Sequence, residues 1–197
     1  MKGDGLSLRS SVEADVPQLH AILSEPRNVH ILKNDSVDLR AGIAAAATEP
    51  QLDRTMRFTA VDDDGTIVGS ATLDFKKRSF SLDAPDLGDE VLTVEPTLAV
   101  KFDRQRRGVG RRMFIALLPI IIEHGDEFPL VFARTQQGNT SAEALLRTLR
   151  FREIGSEQDV GANRSPTAGF ARRGATWNRW ARWVHEFAHE ADDGLIA

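Results

Sequence analysis

The chain has 197 residues, a formal net charge of -4, a hydrophobic fraction of 41% and a charged fraction of 27%. That is enough for one well-cored domain, and the acid balance argues against a general nucleic-acid binder. The sequence has no cysteine, which excludes disulfides, thiolate metal sites and thiol nucleophiles, and no tyrosine.

In chain order, Leu6-Ser7-Leu8-Arg9 alternates apolar and polar residues and predicts an opening strand. Val12, Val16, Leu19 and Leu23 then fall at helical spacing, with Asp15 as the expected N-cap and Pro17 in the first turn. An alanine-rich stretch, Val37 to Ala47, predicts a second helix closed before Pro50. Arg57 to Val61 and Thr66 to Phe75 read as a hairpin joined by Asp62-Asp63-Asp64-Gly65. Lys76 to Glu90 is polar and turn-rich and reads as a loop. Val91 to Val100 predicts a strand in which Pro96 demands an edge position or a bulge.

Gly108 to His124 predicts a long apolar helix, with Pro119 expected to kink or interrupt it. A short buried strand (Leu130 to Thr135), a helix (Asn139 to Leu149) and a further strand from Phe151 follow. Ser156 to Gly174 reads as a loop over a site. Trp177 to Phe187 fits either a strand or a helix, with strand favoured for its first half. Read together, the elements predict an α/β fold with a central mixed sheet flanked by helices. We expect a single domain over residues 1–197, with a core of about 6–155 and a C-terminal extension, 156–197, that completes or covers the sheet. No apolar run approaches the roughly 20 residues of a membrane span, and the N-terminus lacks the apolar core of a signal peptide. The expected partners therefore include no membrane and no nucleic acid, and the expected location is cytoplasmic.

The chemistry concentrates at Leu98-Ala99-Val100-Lys101-Phe102-Asp103-Arg104-Gln105-Arg106-Arg107-Gly108-Val109-Gly110-Arg111-Arg112. A strand runs through a polar turn with two glycines into a long helix. Glycines let the backbone approach a ligand, and the unpaired amides of the helix N-terminus suit a pyrophosphate. The arginines add charge-assisted hydrogen bonds, or else form a solvated helix face. A Walker loop requires Gly-Lys-Ser/Thr, and here Arg111-Arg112 follow Gly110. A dinucleotide fingerprint requires a third glycine where Met113 stands.

Gln105-Arg106-Arg107-Gly108-Val109-Gly110 resembles the Gln/Arg-x-x-Gly-x-Gly/Ala signature of GNAT acetyltransferases. Asn139-Thr140-Ser141-Ala142-Glu143-Ala144-Leu145-Leu146 resembles that family's second coenzyme-contacting helix, and the likeness covers about Leu6 to Gly155. It implies acetyl-coenzyme A as donor and an unidentified amine as acceptor. By the same resemblance, the backbone of Leu98, Ala99 and Val100 would pair with the pantetheine arm, and Gln105, Arg106, Arg107, Gly108, Val109, Gly110 and Arg111 would cradle the pyrophosphate. Asn139 would bond to the pantetheine or a water, with Ala142 and Leu146 near the sulfur. Core packing is the alternative role of Leu98, Val100 and Leu146.

The sequence departs from the family at Leu146, where relatives often carry a tyrosine acid. Glu95 is the candidate general base by resemblance to a glutamate on the family's fourth strand, although Val94 stands nearer the usual position. Glu90 and Asp103 are alternatives, more naturally solvated loop residues. The vacant acid position leaves a second reading, a coenzyme A-binding sensor with little catalysis. His20, His30, His124, His185 and His189 are scattered; only His185 and His189 share a helix face, and no metal site is expected. Trp177, Trp180 and Trp183 are expected to pack the C-terminal segment onto the sheet or to make a contact between two copies in a homodimer.

Overall fold

The computed structural model describes residues 2–3, 5–26, 28, 36–80, 84–158 and 176–193. Eight strands form one mixed sheet: β1 (Lys2–Gly3), β2 (Leu6–Ser10), β3 (Thr55–Asp62), β4 (Ile67–Arg78), β5 (Val91–Val100), β6 (Leu130–Gln136), β7 (Arg152–Gln158) and β8 (Thr176–Trp183). The sheet order is β1-β2-β3-β4-β5-β6-β8-β7. Every pairing is antiparallel except β5 with β6. Among the described residues five α-helices flank it: α1 (Val16–Leu23), α2 (Ser36–Ala44), α3 (Val109–Glu123), α4 (Thr140–Thr148) and α5 (Val184–Asp192).

The main core lies between α3 and the sheet. Met113, Phe114 and Leu117 of α3 meet Leu73 and Phe75 of β4 and Val94 of β5, all fully buried. Phe114, Phe151 and Phe187 form a triangle of rings with centroids 5.7–5.8 Å apart, which seats α5 on α3. Each aromatic pair is worth about 0.5–1.5 kcal/mol beyond its buried area. A smaller cluster packs α1 and α2 on the opposite face, through Leu19, Ile22, Leu39 and Ala99.

Three local expectations are corrected. The strand expected to end at Phe75 continues to Arg78, so Lys76 and Arg78 belong to the sheet rather than to a loop. Pro119 does not break α3, which runs unbroken from Val109 to Glu123. Asp15 is the N-cap residue of α1, as expected, and its carboxylate makes no cap bond to that helix. It accepts instead from Arg9 Nη1 and Nη2 (2.7 and 2.6 Å), Val12 N (3.0 Å) and Thr59 Oγ1 (2.8 Å). A buried carboxylate is stable only when so paired, and this one ties β2, β3 and the start of α1 together.

Pro96 is neither on an outer edge of the sheet nor in a bulge. Its register opposite Leu73 is regular, and β5 is an interior strand. However, β5 and β6 pair only at Thr93–Leu130 and Val94–Val131. Lys101 N donates to Val68 O on β4, at 2.9 Å. Successive strand amides alternate in direction, so the amides of Leu98 and Val100 point to the other side. The missing N–H of Pro96 falls on that same side, where no strand follows. His30 and residues 159–174 of the expected loop lie outside the described residues. The C-terminal segment splits as favoured, with β8 through Trp183 and α5 after it.

Candidate active site

Beyond Val94 the pairing of β5 with β6 ends, while β6 goes on pairing with β8 along its whole length. The split opens a cavity of about 1070 Å³ that reaches both faces of the sheet. On one side it meets α3 and α4; on the other it meets the polar face of β4 beneath α2.

The α3 side is built for an anion. Arg106 and Gly108 both adopt positive φ, 58° and 74°, and so turn successive amides of the loop toward one side. Gly108 is the N-cap of α3 and has no side chain to satisfy the helix. The first helical bond runs from Arg112 N to Gly108 O (3.0 Å), leaving the amides of Val109, Gly110 and Arg111 ahead of it. A side chain at Gly108 would meet open space, so the left-handed backbone is what calls for glycine there. Gly110 differs: a methyl group there would stand 3.6 Å from Leu145 Cδ2, an ordinary contact. Arg106, Arg107 and Arg111 form no ion pair among the described residues, whereas Arg104 is held by Asp62 at 3.4 Å.

The end of β5 is fixed by two side-chain amides. Asn28 Nδ2 and Gln105 Nε2 each donate to Val100 O at 3.0 Å. Asn28 is buried and also donates to Ile22 O, which ties the end of α1 to the loop that opens α3. Across the split, Asn139 Oδ1 caps α4 by accepting from Ala142 N (3.3 Å).

The structure brings Glu95, Leu98, Ala99, Val100, Gln105, Arg106, Gly108, Val109, Gly110, Arg111, Asn139, Ala142 and Leu146 to this one cavity. The side chain of Arg107 lies elsewhere, in a depression of about 300 Å³ shared with Arg104, Arg112 and the Asp62–Asp64 turn. Ala99 turns its methyl group into the α1 cluster, so only its backbone can face a ligand. Leu146 is buried and lines the cavity at the position where relatives often carry tyrosine.

Glu95 lies at the split, 8% exposed. Arg78 holds both of its oxygens, Nε to Oε1 at 2.5 Å and Nη2 to Oε2 at 2.8 Å. The hydrogen bond to Glu95 holds the Arg78 guanidinium above its ordinary value. Directly opposite Glu95 in the β4–β5 register stands Asp74, whose Oδ1 accepts from the Thr55 hydroxyl. Sequence reasoning missed Asp74, along with Arg57, Thr72, Lys76 and Arg78 on the same cavity floor. The signal was present in the alternation of β4: Ala71, Leu73 and Phe75 are buried in the core, which sends Thr72, Asp74 and Lys76 to the other face. No group of three metal-ligating side chains occurs among the described residues. His185 and His189 are neighbours on α5, ring centroids 6.5 Å apart.

A sequence model of the acetyltransferase (GNAT) family matches residues 19–151. No curated protein matches the chain significantly. Among solved structures, the chain is similar to a chimera of the Vibrio cholerae spermidine N-acetyltransferase SpeG with hSSAT, at 14% identity and a TM-score of 0.65, covering 94% of this chain and 99% of that one. It is also similar to a GNAT superfamily phosphinothricin acetyltransferase of Sinorhizobium meliloti in complex with AcCoA, at 17% identity, TM-score 0.66, 91% and 89% coverage. A GCN5-related N-acetyltransferase of Kribbella flavida gives 21% identity, TM-score 0.61, 91% and 98% coverage. These likenesses are of fold; the sequence match covers most of the chain, and the protein belongs to the GNAT acetyltransferase family.

Proposed function

We propose that this acetyltransferase moves an acetyl group from acetyl-coenzyme A to a primary amine, by direct attack while both substrates are bound. One observation carries the reading: a single cavity joins the amide-rich start of α3 to the polar floor of β4 through the β5–β6 split. Donor and acceptor can therefore enter from opposite faces and meet at the split. An acetyl-coenzyme A complex among the structural neighbours supports the donor, and neighbours named for N-acetylation support a nitrogen acceptor.

The residues divide the work. The amides of Val109, Gly110 and Arg111, with the side chains of Arg106 and Arg111, hold the donor's diphosphate. The open edge of β5 at Leu98 and Val100 takes the extended pantetheine as a further strand. The Val100 amide points into the split, where it can donate to the thioester oxygen as negative charge develops there. The amine nitrogen then bonds to the carbonyl carbon, the carbon–sulfur bond breaks, and the coenzyme leaves as its thiolate. The attacking nitrogen must lose a proton. Glu95 receives it, directly or through one water, on a lone pair that Arg78 does not occupy. With leucine at position 146, the thiolate takes its proton from water or from the attacking nitrogen, which sheds its second proton as the tetrahedral intermediate collapses to the amide.

The test is thermal unfolding with and without acetyl-coenzyme A, followed by coenzyme release against a panel of amines with mass detection of the product. Ligand at about 100 times its dissociation constant raises stability by about 2.7 kcal/mol. That rise should vanish in a folded Gly108→Glu, Gly110→Glu double variant. No rise in the natural protein at millimolar ligand would overturn the reading.

A further inference from the structure

The acceptor side of the cavity carries more positive than negative charge. Arg57, Lys76, Arg78 and Arg134 line it against Asp74 and Glu95. Half of these charges are already committed. Arg78 is consumed by Glu95, and Arg134 reaches Glu157 at 3.1 Å. Arg57 and Lys76 remain, and neither forms an ion pair among the described residues.

Arg57 is the unusual one. It projects from β3 opposite Thr72, on the face shared with Asp74, and α2 lies over it. Gly42 of α2 leaves the room: a methyl group there would stand 3.1 Å from both Nε and Nη2 of Arg57. The Arg57 Nε is buried with no hydrogen-bond partner among the described residues. Burial pushes the guanidinium below its ordinary value, and the field of Asp74 opposes that only in part. A guanidinium with an unused buried donor is costly to a folded protein unless a ligand completes it. Its planar fork matches a carboxylate, with two parallel N–H donors for two oxygens.

We propose that the acceptor is an amine that also carries a carboxylate, as an α-amino acid does, and that Arg57 binds that carboxylate on the cavity floor. The proposal rests on the acetyl-transfer reading, whose acceptor it narrows. Lys76, two residues from Asp74 on the same strand face, adds a second positive charge to that floor. A polyamine fits the site poorly, since it would meet two uncommitted cations and a single uncommitted acid, Asp74.

The experiment compares matched acceptors: an α-amino acid, its amide, its decarboxylated amine, and spermidine. Each is assayed for turnover with acetyl-coenzyme A and, by calorimetry, for binding to the protein saturated with coenzyme A. The carboxylated member should be favoured in kcat/KM by about 30-fold or more over its decarboxylated partner. In Arg57→Met that ratio should fall to within about threefold, and Arg57→Lys should recover part of it. A ratio within one variant is insensitive to loss of folded protein. If the decarboxylated amine or spermidine is used as well or better, the proposal is overturned while acetyl transfer stands. If no amine turns over, transfer to amines fails and binding decides the anion site alone. Tighter binding of the carboxylated member, lost in Arg57→Met, upholds the site; equal binding of the pair removes it.

Discussion

Arg78 grips Glu95 through two hydrogen bonds of 2.5 and 2.8 Å, one to each carboxylate oxygen, on the face of the sheet opposite α3. Arg78 is itself steadied by the ring of Phe132, 5.4 Å from its guanidinium carbon. The carboxylate is therefore held in one orientation at the split, with lone pairs left over for a water or an amine. A general base has to be within hydrogen-bond reach of the proton it takes, and for the role proposed for Glu95 the clamp would supply that position in advance.

Glu95→Gln keeps the shape and part of the contact with Arg78 but removes the proton acceptor. We expect kcat to fall by about 100-fold or more, while the dissociation constant for acetyl-coenzyme A stays within about twofold. Asp74→Asn is the companion measurement, because Asp74 faces Glu95 across β4 and β5. A loss confined to Asp74→Asn would move the base to that residue. A Glu95→Gln enzyme with kcat within threefold of the natural one would remove Glu95 from the chemistry.

The two glycines of the signature should respond differently to alanine. Gly108 holds φ at 74°, so Gly108→Ala forces a left-handed alanine and costs about 1 kcal/mol or more. In a chain of this size that lowers the melting temperature by about 2–4 °C, and the displaced loop should also weaken coenzyme binding. Gly110→Ala adds only an ordinary contact with Leu145 and should leave stability within about 0.5 kcal/mol. Equal losses in the two variants would contradict the separate roles assigned here.

The half of the cavity proposed for the donor was legible because its residues are local. A strand end, two glycines and a helix start lie within fifteen residues, and the sequence order is itself the geometry. The acceptor half is assembled from β3, β4 and β5, whose residues meet only through register. Arg57 opposes Thr72, and Asp74 opposes Glu95, pairings that no short window of sequence contains. The expected break at Pro119 and the expected edge or bulge at Pro96 have a common source. Both prolines were judged by the hydrogen bond they cannot donate, but Pro96 sits where β5 has lost its neighbour, and the rest of α3 carries it past Pro119. Asp15 is the N-cap residue its position suggests, but its side-chain partners Arg9 and Thr59 come from two strands and were not legible from the helix start alone.

Asp15 also predicts a pH dependence. Burial alone pushes its carboxyl up, but the hydrogen bonds from Arg9, Val12 and Thr59 outweigh it, and the group lies below its ordinary 3.8. A carboxyl depressed by folding adds stability that is complete above the ordinary value and is lost as pH falls through the depressed one. Denaturant melts from pH 6 down to pH 2 should therefore lose stability mainly below about pH 4. Asp15→Asn should cost about 1–3 kcal/mol at pH 7 and flatten that acid slope. An unchanged slope would mean that other carboxylates carry the acid sensitivity.

Gly42 offers a test of the acceptor floor that leaves every charge in place. Alanine is the better helix former, and its methyl group alone should stabilise α2 by about 1 kcal/mol. The same methyl group would press on the Arg57 guanidinium from 3.1 Å, and either the guanidinium or α2 must shift to admit it. If Arg57 binds the acceptor's carboxylate, Gly42→Ala raises the acceptor KM several-fold with little change in the KM for acetyl-coenzyme A, because the atoms nearest the new methyl group all belong to Arg57. If both KM values stay as they were, Arg57 yields without consequence and its position under α2 serves packing alone.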